Sequence, residues 1–90
     1  MRENAVKIIN PLGLHARAAA QLVRLAGKFK SKITLTRNDN LVMADAKSIL
    51  SVLTLAAARG TELRLIVEGE DETEASTAVT ELIEKGFGEI

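Results

Sequence analysis

The chain has no cysteine, no tryptophan and no tyrosine. Without thiols, disulfides and thiolate metal sites are excluded. A single histidine leaves a zinc ion little beyond carboxylates to bind, so no metal is expected. The two aromatic residues, Phe29 and Phe87, offer almost no platform for stacking the bases of single-stranded RNA. Neither sign of charge prevails: 12 Lys and Arg stand against 12 Asp and Glu. No bulk field therefore draws nucleic acid or anionic lipid, and any anion binding must be local. No apolar run is long enough to span a bilayer, and Met1–Ala5 carries no signal-peptide core. Cytoplasmic location is the expectation. There is no cofactor motif and no acid–base pair, so neither a cofactor nor a self-contained enzyme is expected.

What is present is a hydrophobic fraction of 47% in 90 residues, enough for one core in one domain spanning 1–90. Ala5–Ile9 reads as a strand with Val6 and Ile8 inward. From Ala16 to about Phe29, apolar residues recur at helical spacing, and Lys28 and Lys30 suit a helix C-terminus. Ser31–Arg37 alternates, Asn38–Asn40 is turn chemistry, and Leu41–Ala44 pairs back as a hairpin strand. A helix begins near Ser48 and is apolar nearly all round. Glu62–Glu68 is the clearest strand. Asp71–Glu74 resembles a capping box for a last helix that Gly86 terminates. The order βαββαβα is a split βαβ pattern of α+β class: an antiparallel sheet with helices on one face. The polar alternates Lys7, Lys32, Thr34 and Arg64 fit a solvated second face.

His15 lies where Pro11 and Gly13 lead into the first helix. Unpaired N–H groups and the positive end of the helix dipole meet there, and Arg17 is two residues on. An anion, phosphate above all, suits that point. A lone His at a helix start is, however, often only a polar surface residue or a cap.

Gly13-Leu14-His15-Ala16-Arg17, Leu22-Val23, Ala26, Phe29-Lys30-Ser31, Ala46-Lys47-Ser48-Ile49 and Gly69-Glu70-Asp71-Glu72 together resemble the HPr family. These are the histidine-containing phosphocarriers of the bacterial phosphoenolpyruvate-dependent phosphotransferase system, and the likeness covers nearly the whole chain. It implies an open-faced β-sandwich, a four-stranded antiparallel sheet covered on one face by three helices. It implies that His15 accepts a phosphoryl group on Nδ1 from enzyme I and passes it to IIA components of sugar permeases. It also implies that Ser48 is a regulatory phosphorylation site, which brings in HPr kinase/phosphorylase and a transcription regulator as further partners. The usual proline after the motif arginine is here Ala18, which restores one N–H at the helix start.

Attack requires an unprotonated ring nitrogen, a form that a helix N-terminus and Arg17 favour as positive neighbours. The same groups would stabilise the charge that arrives: the backbone N–H of Ala16 and the guanidinium of Arg17. Ser48 is also a preferred helix N-cap, which alone accounts for a serine there. A two-layer domain cannot bury every side of the second helix, so part of Ile49, Leu50 and Leu53 should be exposed near His15. Ala20, Arg24, Lys47, Ile49, Leu50 and Leu53 are the expected partner contacts of a monomer. Two other readings compete. One is a regulatory, nitrogen-related relay without sugar transport, toward which Arg37-Asn38-Asp39 and Gly86-Phe87 lean. The other is a ferredoxin-like binding module without covalent chemistry.

Overall fold

The computed structural model describes residues 1–89. Four strands, β1 (Arg2–Lys7), β2 (Lys32–Arg37), β3 (Met43–Asp45) and β4 (Glu62–Glu68), form one sheet in the order β1-β4-β2-β3. All three pairings are antiparallel. The helices are α1 (Ala16–Ala26), α2 (Ile49–Leu53) and α3 (Glu72–Glu84), and a 3-10 turn follows at Gly86–Gly88.

Alternation in the strands decides which face is covered. Ile33, Leu35, Leu63, Leu65 and Val67 point inward and are fully buried, while Lys7, Lys32 and Arg64 lie exposed on the other side. Leu35 pairs with Leu65 on one side and Ala44 on the other, which carries the apolar face across three strands. Each such leucine or isoleucine contributes about 1.5–3 kcal/mol by leaving water. Helix α1 presents Ala18, Ala19, Leu22 and Ala26 to this layer, and α3 presents Ala75, Val79 and Ile83. The expected order of elements and the single covered face are both present.

Several boundaries differ from the sequence expectation, each for a local reason. Strand β1 begins at Arg2, because pairing with Val67 of β4 draws its polar start into the sheet. Helix α1 stops at Ala26: Gly27 caps it, and Lys28 and Phe29 turn back tightly onto the carbonyls of Leu25 and Ala26. Strand β3 starts late because Leu41, and not an Asn or Asp of the turn, takes the left-handed conformation at φ 61°. The capping box also fails. Asp71 is the N-cap of α3 but makes no capping hydrogen bond. Its carboxylate instead accepts from the N–H of Lys30 (2.8 Å), the N–H of Ser31 (2.9 Å) and the hydroxyl of Ser31 (2.6 Å). Gly69 makes this possible: a Cβ there would lie 2.6 Å from Ser31 Oγ and 2.7 Å from its Cα.

Arg37 also has a structural role. Its guanidinium pairs with both carboxylate oxygens of Asp39 and donates to the carbonyls of Leu55 and Ala56. It thereby staples the β2–β3 hairpin to the loop after α2.

Candidate functional site

The loop that carries His15 is held from below. Gly13 has φ 67°, and a Cβ on it would sit 2.5 Å from the carbonyl oxygen of Ala57. Only glycine fits that approach. The next N–H, of Leu14, donates to the same carbonyl at 2.8 Å. Asn10, fully buried, spans the turn: its Nδ2 donates to the Gly13 carbonyl at 2.8 Å. The site loop is thus seated on the segment that follows α2, which places the two regions side by side.

His15 is the N-cap of α1, with extended backbone (φ −75°, ψ 178°). Its ring has a different partner on each nitrogen. Nδ1 accepts from the N–H of Arg17 at 3.3 Å, and Nε2 lies 2.5 Å from Oε2 of Glu89. A backbone N–H can only donate and an ionised carboxylate can only accept. The proton therefore sits on Nε2, and the lone pair of Nδ1 points at the helix N-terminus, held by one long hydrogen bond. The ring is 26% exposed, so a partner can reach it. Arg17 is exposed and has no ion pair among the described residues.

The site is not purely electropositive, as the sequence reading had it. Glu89 arrives from the tail, where Gly86, Phe87 and Gly88 all have positive φ (62°, 56° and 78°). Phe87 is buried, which anchors the turn and aims Glu89 back at the site. The Glu89 carboxylate also accepts from Asn10 Nδ2 at 3.2 Å. The hydrogen bond from His15, then that from Asn10, then the charge of Arg17 hold its carboxyl below the usual range. Sequence reasoning missed both Glu89 and Asn10. The one signal for Glu89 was an apolar Phe87 between two glycines after a helix end, a pattern that buries the aromatic ring and fixes the residue beyond it.

The other expected site residues are distributed as follows. Ala16 opens α1 with its N–H in the unpaired first turn, and Ala18, in the position of the usual proline, is buried. Arg17 and Arg24 share one exposed stripe of α1, Lys28 is exposed in the turn beyond its end, and half-buried Ala20 lies toward the edge of the stripe. Ile49, Leu50 and Leu53 are 40%, 75% and 38% exposed, while Val52 alone of α2 is buried. Lys47 is partly exposed and tied to the backbone. Its ammonium donates to the carbonyl of Phe29 at 2.7 Å, closing the C-terminal end of α1 rather than standing free at a docking rim. Ser48 is half-buried and caps α2, its Oγ accepting from the N–H of Ser51 at 3.3 Å.

The fold is a four-stranded open-faced sandwich that presents its one histidine at a helix start on the surface. Comparison with known proteins gives the family. Residues 2–85 match the sequence profile described as PTS HPr component phosphorylation site. The chain is 46% identical over 89 residues to the phosphocarrier protein HPr of Neisseria meningitidis, covering 99% of this chain and 98% of that one. It superposes on a crystal structure of HPr-C-His from Thermoanaerobacter tengcongensis with TM-score 0.92 at 41% identity, covering 100% of this chain and 99% of that one. A crystal structure of an HPr dimer from the same organism matches with TM-score 0.76 at 42% identity, covering 99% and 100%. The chain belongs to the HPr phosphocarrier family of the phosphotransferase system.

Proposed function

We propose that His15 Nδ1 is the phosphoryl acceptor, charged by enzyme I, itself charged by phosphoenolpyruvate, and discharged to IIA components of sugar permeases. The observation that carries this reading is the ring's division of labour: Nε2 is occupied by a carboxylate, while Nδ1 offers its lone pair to an accessible helix N-terminus beside Arg17. When phosphorus approaches, the long bond from the Arg17 N–H gives way, and that N–H with its Ala16 neighbour turns to the phosphoryl oxygens. The guanidinium of Arg17 adds charge stabilisation. In a loose, metaphosphate-like transition state, such positioning and charge carry most of the rate. The chain acts as a cytoplasmic monomer and as a substrate of its partners, with the exposed apolar patch of α2 and the basic stripe of α1 as the docking surface.

Ser48 is read as a regulatory phosphorylation site, addressed by an HPr kinase/phosphorylase and read out by a transcription regulator. A phosphate there would stand next to Ile49 and Leu50, put negative charge on the docking surface and repel an acidic partner. Arg37-Asp39 and Gly86-Phe87, which leaned toward a regulatory relay, have structural roles in the hairpin staple and the tail turn. Ala46-Lys47-Ser48, part of the family likeness, is the feature of the sequence that leans toward the sugar-permease branch.

The test is incubation with phosphoenolpyruvate and enzyme I, followed by mapping of the modified residue and phosphorus NMR. One acid-labile phosphohistidine at His15 is expected. Full labelling of His15→Ala would refute the assignment.

A further inference from the structure

The tail carboxylate bears on the transfer step in a way the nucleophile and the helix end do not explain. Glu89 occupies the ring nitrogen opposite the one that attacks, and it is itself positioned. Its Oε2 faces His15 Nε2 at 2.5 Å, and its Oε1 accepts from Asn10 Nδ2 at 3.2 Å. The orientation of Asn10 is fixed by two acceptors, Gly13 O and Glu89 Oε1, and is kept although its buried Oδ1 has no hydrogen-bond partner. Flipping the amide would set Oδ1 against both the carbonyl and the carboxylate. The one amide orientation thus serves both the site loop, through Gly13 O, and the tail carboxylate, through Glu89 Oε1. The tail turn supplies the reach, with Phe87 buried in the left-handed region between two glycines.

Building on His15 as the acceptor, we propose that Glu89, held by Asn10, is a positioning residue for phosphoryl transfer in both directions. It keeps the ring proton on Nε2, so that Nδ1 is the nucleophile. As the Nδ1 lone pair forms the P–N bond, the donor's bond to phosphorus breaks and its electron pair leaves with the donor's leaving group. The ring gains positive charge, and no proton need depart: Nε2–H stays on the ring, hydrogen-bonded to the Glu89 carboxylate. On discharge the same pair holds the ring in the protonated form that leaves readily as the P–N bond breaks. The carboxylate thus plays toward this imidazole the part that a buried aspartate plays in a Ser-His-Asp triad, orienting the tautomer and stabilising the cationic ring without taking the proton.

Nitrogen-15 NMR of the histidine ring reads the tautomer of the unphosphorylated protein without any phosphoryl donor. Steady-state phosphorylation by phosphoenolpyruvate and enzyme I reads the rate. The native ring should be in the Nε2–H form throughout, and Glu89→Ala should move it toward the tautomer mixture of free imidazole. Glu89→Gln keeps an acceptor without charge: it should hold the native tautomer yet lower kcat about tenfold with the KM for the carrier unchanged. Glu89→Ala should lower kcat further. Glu84→Ala, an exposed acid at the end of α3, should match the native protein in both readouts. A native tautomer in Glu89→Ala overturns the proposal, and so does a native kcat in that variant. If instead the native protein took no phosphate on His15, the acceptor assignment would fall, while the ring spectra would still decide whether Glu89 sets the tautomer.

Discussion

Helix α1 has a carboxylate from a later segment at each of its ends, and the two are used differently. Past the C-terminal end, Asp71 accepts three hydrogen bonds from Lys30 and Ser31, and Gly69 is packed so closely on Ser31 that no side chain fits. At the N-terminal end, Glu89 holds one nitrogen of a partly exposed histidine and one buried amide, and the other nitrogen of that histidine keeps only a 3.3 Å bond. The first arrangement is saturated and closed, as a fold clasp should be. The second leaves a lone pair available and a guanidinium unpaired among the described residues, as a site that must exchange a ligand should. The same residue type has its hydrogen bonds complete in one setting and leaves a neighbouring position open in the other, which is the basis for proposing chemistry at the second.

The sharpest test crosses the two ends. His15→Ala should abolish labelling from phosphoenolpyruvate while leaving the urea midpoint close to native, because the ring is not part of the core. Gly69→Ala should do the reverse. Its φ of 153° and the collision with Ser31 should lower stability by about 3 kcal/mol, measured by denaturant unfolding, with the folded fraction still accepting phosphate at the native rate. A His15→Ala protein that unfolds, or a folded Gly69→Ala protein that cannot be phosphorylated, would merge the two ends into one unit. Next in size, Arg17→Ala should slow transfer by about 10- to 100-fold, the range for loss of one charge-stabilising group. Its circular dichroism should stay native. Collapse of the fold would make Arg17 structural.

Most of the architecture was legible in the sequence because it rests on periodicity. The alternation of Glu62–Glu68 and the spacing of Ala75, Val79 and Ile83 place those elements, and β4 and α3 appear where the pattern put them. Contacts between residues far apart in sequence were not legible. Asp71 before an acidic first turn has the look of a cap, yet tertiary packing of Gly69 on Ser31 diverts its carboxylate across 40 positions. Lys47 reads as a partner contact, and nothing local in the sequence shows that its ammonium donates to the carbonyl of Phe29, 18 positions away. His15 and Arg17 stood out because their meaning is local to a helix start. Glu89 did not, because its meaning depends on a tail turn that brings it 74 positions back.

A smaller effect is expected at the surface beside the site. Ser48→Asp puts a charge where Ile49 and Leu50 are exposed, and should raise the KM for enzyme I about threefold to tenfold with kcat little changed. The increase should shrink as salt is raised, since screening weakens charge–charge effects at an exposed surface. A Ser48→Asp protein that docks and reacts as the native one does would separate this serine from the site and leave it a helix cap.

The smallest effect concerns the closed end and is read in acid. The Ser31 hydroxyl, followed by the N–H groups of Lys30 and Ser31, holds the Asp71 carboxyl below its ordinary 3.8. The folded chain therefore binds that proton more weakly than the unfolded chain. Above the ordinary value both states are ionised and the clasp contributes its full stability. As pH falls through the window below it, the unfolded state takes up the proton first and the contribution is lost. Asp71→Asn removes the charge at every pH, so its deficit in urea midpoint should be largest near neutrality and should narrow as pH drops toward 3 and below. Other carboxyls held low, those of Asp39, Glu72 and Glu89, lower acid stability in both proteins alike and cancel in the difference. A deficit constant from pH 7 downward would mean that the Asp71 clasp acts through shape alone. The contrast between the two carboxylates would then lie in packing rather than in charge.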